Sequence, residues 1–560
     1  MNPRPAGPRE RPDPVPARAP GPAPAASGVA RLLPWVALAL VLLFVVVVRV
    51  RWLDVPLERD EGEYAYAGQL ILRGIPPYQL VYNMKLPGAY MAYALFLALF
   101  GPTARAVRLG LLLVNAASIV LLFLLGRRLG GSLVAAVAAA AYALLSVGTA
   151  VQGPFAHSSH LVVLAALGGV LWLLRAFDTG RARDHLGSGL LLGLALVMKQ
   201  HGAFFLLFGA FALLTRRRGP GVRGSRWTAD VAPFAAGAAL PLILTGLALA
   251  VAGVFSSFWF WTFRYAAAYV TEVSLSAGPA ALRDGFAAVV VGAPLLWAAG
   301  AIGLLLVILD PGTGPWRGML GAFAVFAFLA ICPGLYFREH YFVMLLPAVA
   351  LLVGVAVDGL RRALAGTGLR RRATAVSAAL FLMAFLVSLV PQVPLLLRTP
   401  PARLVREVYG ANPFPEAREV ARYIAAHSSP DDRIVVLGSE PEIYFYAGRR
   451  SATGHIYMYG LMERQPYARA MQRQLIREVE TGAPQWLVFV NVWMSWLPRP
   501  DSERELLDWS ARYVASHYVA VGRVDIHSPT ETSYTWRDSV SAPDARTRFF
   551  LMVYRRKPHA

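Results

Sequence analysis

A continuous apolar run limits the fold of this chain more than any other feature. Leu32 to Val50 contains a single charged residue, Arg49, and is long enough to cross a hydrocarbon core of ~30 Å. Similar runs recur along the 560 residues, of which 56% are hydrophobic and only 16% charged. A soluble domain has about a quarter of its residues charged. The composition excludes a disordered protein and a single soluble domain, and predicts a polytopic α-helical membrane protein.

Short basic blocks between the apolar runs mark the cytoplasmic loops, because Lys and Arg collect on that side of a membrane. They predict about eleven spans with a cytoplasmic N-terminus in a cell (plasma) membrane. The predicted spans are 32–50, 106–125, 132–150, 160–175, 186–200, 202–215, 231–252, 285–308, 318–333, 341–358 and 374–396. The first outer loop, 51–105, would carry two outer-surface helices, one in Tyr64 to Leu72 and a short one in 88–101.

Composition divides the chain into three parts. Residues 1–30, rich in Pro, Ala, Gly and Arg, predict a disordered cytoplasmic tail. Residues 31–397 form the multi-span domain. Residues 398–560 alternate short apolar runs with helical patterns, which predicts a soluble extracytoplasmic α/β domain. Its predicted strands and helices are 433–438, 486–490, 518–524 and 549–554, and 420–426, 466–480 and 502–516.

The net charge of +21 does not indicate nucleic-acid binding. The basic blocks lie between spans, and none is interleaved with aromatic residues as a base-stacking groove would be. The single cysteine, Cys332, excludes an internal disulfide framework and a cysteine-cluster metal site. Two histidines at His157 and His160 lack an evident third ligand, so the sequence assigns no metal, although a divalent ion remains possible.

Four carboxylates follow the first span directly: Glu58, Asp60, Glu61 and Glu63. Asp60 and Tyr64 share a helical face at a spacing of four residues. A carboxylate at the mouth of a membrane cavity can act as general base on a hydroxyl group. The alternative is a solvated charge run that flanks a span.

Several cations lie where the positive-inside rule predicts few. Lys85, in the segment that begins at Tyr82, and Arg108 fall on the predicted outer side and could bind a lipid phosphate. Lys199 and Gln200 interrupt two apolar runs, where polar residues usually face a cavity. Snorkelling lysines are the alternative interpretation. Arg338, His340 and Tyr341 belong to a compact polar turn that suits a phosphate or sugar contact, or simply closes a hairpin.

These residues resemble a known family. The order of motifs in the first loop is similar to that of GT-C glycosyltransferases, in the branch of protein O-mannosyltransferases, aminoarabinose transferases and bacterial polyprenyl-phosphate sugar transferases. The motifs are Asp60-Glu61, Tyr64, Gly74 to Tyr78, Lys85-Leu-Pro87 and Phe100-Gly101. Arg108-Leu109, Gly193 to Gln200 and Arg338 to Tyr341 resemble later segments, and the tail resembles the soluble extension of bacterial members.

The resemblance implies inverting transfer of a sugar from a polyprenyl-phosphate donor to an acceptor hydroxyl outside the membrane. By that match Asp60 is the catalytic base, Glu61 orients a substrate, and Lys85, Arg108 and Lys199 neutralise the phosphate. Tyr64 and Tyr82 are candidate acceptor or sugar contacts. The acceptor, a glycan, lipid or protein, and the sugar are not specified. The chain departs from the family at Met84 and Leu86, beside the loop lysine, and has His157 where many members have an acid.

Two other functions stay open at this point. A transporter or flippase of lipid-linked sugars would more often show internal repeats, which the sequence lacks. A scaffold that binds lipid-linked sugars without catalysis is the other alternative.

Overall fold

A computed structural model of the chain describes residues 28–216, 227–537, 540–541 and 548–558. The first helix begins at Gly28. The predicted disordered tail therefore falls almost wholly on residues 1–27, which lie outside the described part.

Helices account for nearly all the regular structure before residue 398. In chain order they are α1 (Gly28–Arg51), α2 (Arg59–Leu72), α3 (Pro87–Phe100), α4 (Ala104–Val147), α5 (Ser158–Thr179), α6 (Ala182–Met198), α7 (Ala203–Thr215), α8 (Trp227–Val251), α9 (Phe255–Trp259), α10 (Ala266–Val270), α11 (Gly278–Val290), α12 (Pro294–Leu309), α13 (Arg317–Leu329), α14 (Leu346–Ala365) and α15 (Ala373–Leu389). A π-helical turn, Phe260–Tyr265, joins α9 to α10.

Five helices of the described part are long and apolar enough to cross a membrane, and a sixth crossing arises if α11 and α12, bent by 117°, count as one span. One of the five, α4, turns back at Gly131, whose φ of 84° suits glycine. Its two arms pack together, since Asn115 Nδ2 donates to Ser146 Oγ at 3.0 Å. The chain is a multi-pass helical membrane protein, and the number of eleven spans stays a prediction.

The tail forms the predicted α/β domain. Its helices are α16 (Pro401–Tyr409), α17 (Phe414–Ala426), α18 (Glu442–Ala447), α19 (Tyr459–Met462), α20 (Ala468–Gly482), α21 (Trp493–Trp496) and α22 (Glu505–His517). Its strands are β1 (Arg433–Leu437), β2 (Arg450–Ser451), β3 (Trp486–Asn491), β4 (Tyr518–Ser528), β5 (Glu531–Trp536) and β6 (Phe550–Arg556). The four predicted strands correspond to β1, β3, β4 and β6, while β2 and β5 were not predicted.

The six strands form one mixed sheet in the order β2-β1-β3-β6-β4-β5. Strand β1 lies parallel to both β2 and β3, with Val435 beside Leu487. The remaining pairs are antiparallel. The chain therefore leaves β1 for β2 on one side and returns to β3 on the other, which makes the carboxyl end of β1 a topological switch point.

The first loop shares its apolar core with the tail. Tyr66 of α2 stacks on Tyr444 of α18 with ring centroids 5.2 Å apart, and both belong to the buried cluster that contains Val436 and Val488 of the sheet. A second cluster joins the long helices and includes Leu404 of α16. The loop that carries the four carboxylates is thus fixed between the helices and the sheet.

The close packing of α2 on α18 gives a first prediction. A Cβ on Gly62 would lie 2.6 Å from the backbone N of Glu442, so Gly62→Ala must push the two elements apart. We expect Gly62→Ala to lower the free energy of unfolding by about 1–3 kcal/mol, the usual cost of overpacking. Thermal unfolding in detergent measures it. Gly318→Ala is the control, since a Cβ there meets nothing within 4 Å, and an equal effect of both changes would contradict the prediction.

Candidate active site

Asp60 lies in the first turn of α2, where the backbone is fixed by a capping box. The Glu58 carboxylate accepts from the backbone N–H groups of Asp60 and Glu61 at 3.0 and 2.8 Å, and Glu61 Oε2 accepts from Glu58 N at 3.1 Å. This reciprocal arrangement satisfies backbone donors that a helix start otherwise leaves free. The side chain of Asp60 points into a cavity with 19% of its surface exposed.

The cavity brings together most of the residues that the sequence analysis selected. Its lining includes Asp60, Tyr64, Tyr82, Lys85, Lys199, Gln200, Arg338, His340 and Tyr341. They come from α2, from the segment before α3, from the break between α6 and α7, and from the turn before α14. Tyr457 and Tyr459 of the tail complete the wall.

Lys85 is the central cation of the cavity. Its Nζ lies 2.7 Å from Asp60 Oδ1 and 2.7 Å from Glu63 Oε2. Glu63 also accepts from Asn83 Nδ2 at 2.8 Å and from Tyr90 Oη at 2.6 Å. Glu63 was not among the predicted site residues, although its spacing of three residues from Asp60 places both on one helical face.

The Asp60–Lys85 pair is ionised. Burial raises the pKa of Asp60, but the positive charge of Lys85 outweighs it and holds that pKa well below its usual range. Burial lowers the pKa of Lys85, and the charges of Asp60 and Glu63 reverse the effect and hold it well above its usual range. Asp60 Oδ1 also accepts from Tyr457 Oη at 2.9 Å. Among the described residues, Oδ2 accepts no hydrogen bond and is the oxygen left for a ligand.

Lys199 and Arg338 are two further basic residues that line the cavity. Lys199 Nζ lies 4.0 Å from the centre of the Tyr341 ring and 3.4 Å from Ser159 Oγ. The Arg338 guanidinium lies over Tyr336 and 3.4 Å from Tyr269 Oη. Within the described ranges, neither cation forms an ion pair with a carboxylate. Burial lowers the pKa of Lys199 to about 7, and a bound anion would favour its charged form. The two basic groups therefore suit an anionic ligand such as phosphate.

Of the remaining predicted residues, three line the cavity and two form an ion pair away from it. Gln200 Nε2 donates to the Met84 carbonyl at 2.6 Å, Tyr64 lies under Lys85, and Tyr82 stacks on Trp261. By contrast, Glu61 and Arg108 form a fully buried ion pair that does not line the cavity. Arg108 also donates to the carbonyls of Val55, Pro56 and Pro154.

Asp60, His157 and His340 form a group that could hold a metal ion. Each offers one ligand atom, and these atoms lie within 4.8 Å of one another. Burial lowers the pKa of His157 to about 3 and that of His340 well below its usual range, so both imidazoles are neutral at pH 7, as ligands must be. His157 Nδ1 has no hydrogen-bond partner in the described part of the chain. These residues fit a small divalent ion, with His340 rather than His160 as the second histidine.

Comparisons with known proteins agree with this architecture. The family model described as dolichyl-phosphate-mannose-protein mannosyltransferase matches residues 85–247, a segment that includes Lys85 and Lys199. The structure of ArnT from Cupriavidus metallidurans bound to undecaprenyl phosphate is similar with a TM-score of 0.56 at 17% identity, covering 93% of this chain and 98% of that chain. The chain has a GT-C fold.

Two structures of archaeal oligosaccharyltransferases have a similar fold. The oligosaccharyltransferase AglB from Archaeoglobus fulgidus, in complex with an inhibitory peptide and a dolichol-phosphate, gives a TM-score of 0.50 at 14% identity, covering 93% of this chain and 76% of that chain. The crystal structure of the Archaeoglobus fulgidus oligosaccharyltransferase tethered with an acceptor peptide gives a TM-score of 0.51 at 14% identity, covering 93% of this chain and 75% of that chain. No curated protein matches the sequence. The predicted resemblance to the mannosyltransferase and ArnT branch is confirmed.

The ion pair in the cavity gives a second prediction. Replacing Lys85 by Met removes the charge that opposes burial, so the pKa of Asp60 rises and Asp60 takes up a proton at higher pH. Because the pKa is depressed in the folded protein, the pair stabilises the fold above the unfolded value of ~3.9, and this stabilisation is lost as the pH falls through the folded-state pKa.

The measurement is an infrared titration with pH of the carbonyl band of protonated Asp60. The band is assigned to Asp60 by its absence from Asp60→Asn. We expect a higher midpoint in Lys85→Met than in the native chain. The control Lys85→Arg keeps the charge and should give a midpoint near the native one. Equal midpoints in the Met variant and the native chain would contradict the proposed charge balance.

Proposed function

We propose that the chain is an inverting glycosyltransferase, which moves a sugar from a polyprenyl-phosphate donor to an acceptor hydroxyl on the outer face of the membrane. One observation carries the proposal: a single cavity holds a carboxylate, Asp60, and two cations without carboxylate partners in the described chain, Lys199 and Arg338. This is the charge pattern that transfer from a phosphate to a hydroxyl requires.

An apolar groove next to the cavity supports a lipid-linked donor. The groove has a volume of about 720 Å³ and runs between α3, α4, α5 and α6. Met198 lines both the groove and the cavity, beside Lys199. A polyprenyl chain in the groove would therefore place its phosphate near Lys199. The structure of ArnT contains undecaprenyl phosphate and that of AglB contains a dolichol-phosphate, which are carrier lipids of this class.

The proposed reaction uses the free oxygen of Asp60. Oδ2 takes the proton of the acceptor hydroxyl, and the acceptor oxygen forms a bond to the anomeric carbon of the sugar. The bond from that carbon to the phosphate oxygen breaks on the opposite side, which inverts the configuration. The phosphate leaves with the electron pair, and Lys199 and Arg338 stabilise its charge. Lys85 and Tyr457, both bound to Oδ1, hold the carboxylate in place.

The other predicted residues take supporting roles in this proposal. Gln200, His340 and Tyr341 would contact the donor, and Tyr64 and Tyr82 would contact the acceptor or the sugar; all five line the cavity. The buried pair of Glu61 and Arg108 positions the start of α2 rather than contacting the donor.

A divalent ion would fit beside the reacting groups. Asp60, His157 and His340 would hold it, and its chemistry would be to neutralise phosphate charge. With an ion bound, Asp60 would be a ligand, so this arrangement is an alternative to the role of Oδ2 as the free base. The sugar, the acceptor, which can be a glycan, a lipid or a protein, and the length of the polyprenol are left to experiment.

The transfer reaction gives a third prediction. Purified chain, membrane extract as acceptor and a panel of radiolabelled polyprenyl-phosphate sugars should yield a labelled product with one donor. Asp60→Asn removes the base and should lower the rate by about 10²–10⁴-fold, while binding of the donor is retained. Asp54→Asn is the control, because Asp54 lies in the same loop in an exposed pair with Arg105.

Two results would contradict the proposal. Equal rates for Asp60→Asn and the native chain would remove Asp60 from the reaction. Donor binding by the native chain without transfer to any acceptor would instead favour a transporter or a binding scaffold.

The metal site gives a fourth prediction. After dialysis against Mn²⁺ or Zn²⁺ and removal of free ion, elemental analysis should find bound metal in the native chain and less in His157→Ala. His455→Ala is the control, since His455 lines the same cavity outside the ligand group. Equal metal content in the native chain and His157→Ala would contradict the site.

A further inference from the structure

We propose that the C-terminal α/β domain completes the active site, with Tyr457 as a positioning residue for Asp60 and with the crevice at the carboxyl end of β1 as the binding site for Arg59. The inference rests on the proposed function, because it takes Asp60 as the reacting group. It assigns to the tail a part in the reaction that neither its sequence nor its sheet indicates.

Tyr457 reaches Asp60 directly from the tail. Its Oη donates to Asp60 Oδ1 at 2.9 Å, and its ring lies 5.3 Å from Lys85 Nζ. The bond uses the same oxygen as Lys85 and leaves Oδ2 facing the cavity. The tyrosine thus acts together with Lys85 of the first loop to fix which oxygen of the carboxylate is available, because a carboxylate held by fewer donors rotates more freely about its last torsion.

The crevice at the carboxyl end of β1 is where open α/β sheets commonly bind ligands. Here Arg59, the residue before Asp60, occupies it. The guanidinium donates to the Ser439 carbonyl, to Glu440 Oε1 at 3.0 Å and to Asn412 Oδ1 at 2.9 Å. Glu440 is in turn held by Ser495 Oγ, which follows β3. Together with Tyr459 Oη, which accepts from Nη1, these groups satisfy the arginine fork from three tail segments.

Ser439 of the crevice links the contact of Arg59 with the tail to the contact of Tyr457 with Asp60. Ser439 accepts from Arg59 through its carbonyl and from the backbone N of Met458 through Oγ, the latter at 2.8 Å. Met458 separates Tyr457 from Tyr459, and Tyr459 Oη lies 2.6 Å from Arg59 Nη1. Segment 457–459 and Arg59 are therefore held by the same turn at Ser439. The position of Tyr457 relative to Asp60 is thus set by the end of strand β1.

Two tyrosine changes separate positioning from simple packing. Tyr457→Phe removes the bond to Asp60 and keeps the ring. Tyr66→Phe is the matched control, because Tyr66 also joins α2 to the tail, accepting from Ser451 N at 2.7 Å, but does not contact Asp60. We expect Tyr457→Phe to lower kcat about tenfold, the effect of one hydrogen bond to a charged group, with an unchanged KM for the donor. Tyr66→Phe should leave kcat and KM unchanged.

A double-mutant cycle tests whether Tyr457 acts through Asp60. In an Asp60→Ala background no carboxylate remains to be positioned, so Tyr457→Phe should have no further effect on the residual rate. The same cycle on the melting temperature should show that Tyr457→Phe lowers it in the native chain and not in Asp60→Ala. This second cycle measures stability and can therefore be carried out even if no transfer of sugar is detected.

The contacts of Arg59 with the tail are tested by a second pair of substitutions. Arg59→Lys cannot reproduce the fork and should lower kcat, whereas Arg73→Lys should not, although Arg73 at the other end of α2 also contacts the tail through the Gly448 carbonyl.

Equal effects of Tyr457→Phe and Tyr66→Phe, or additive effects in the Asp60→Ala background, would overturn the inference. If the native chain transfers no sugar, the proposed function fails, and the melting-temperature cycle alone decides whether Tyr457 and Asp60 are coupled.

Discussion

The ion pair between Asp60 and Lys85 is the interaction on which the cavity depends. Two charges removed from water are costly unless each is paired and further hydrogen-bonded. Here Lys85 bridges Asp60 and Glu63, Tyr457 donates to Asp60, and Asn83 and Tyr90 donate to Glu63. The network draws together α2, the segment before α3 and the tail. It also keeps one carboxylate oxygen charged and free at the wall of the cavity.

Three consecutive residues connect the start of α2 to three different parts of the molecule. Arg59 enters the crevice of the tail, Asp60 faces the cavity, and Glu61 pairs with Arg108 of α4. Since Glu61 also accepts from the backbone N of Ala156, the same turn of helix is tied to the loop before α5. Asp60, the proposed base, is thus held from both sides, which restricts the drift of about 1 Å that costs catalysis heavily.

Sequence reasoning reached the fold class, and it selected nine residues that line the cavity, including Asp60, Lys85 and Lys199. Apolar runs, basic blocks and charged residues at membrane depth carry local signals, and the order of motifs carried the resemblance. Local signals do not report contacts between segments that lie far apart in the chain. Arg108 and Glu61 are charged residues in the expected places, yet they pair with each other in the interior. Nothing near Tyr457 or Ser439 distinguishes them from other tail residues, because their partners lie in the first loop.

The central claim is that one cavity receives the phosphate of a lipid-linked donor opposite Asp60. The most direct test is an experimental structure of the chain in a lipid nanodisc with a polyprenyl phosphate. The account predicts the phosphate within hydrogen-bond distance of Lys199 and Arg338, and the polyprenyl chain in the groove that begins at Met198. A phosphate bound outside this cavity, with Lys199 and Arg338 free of it, would contradict the account.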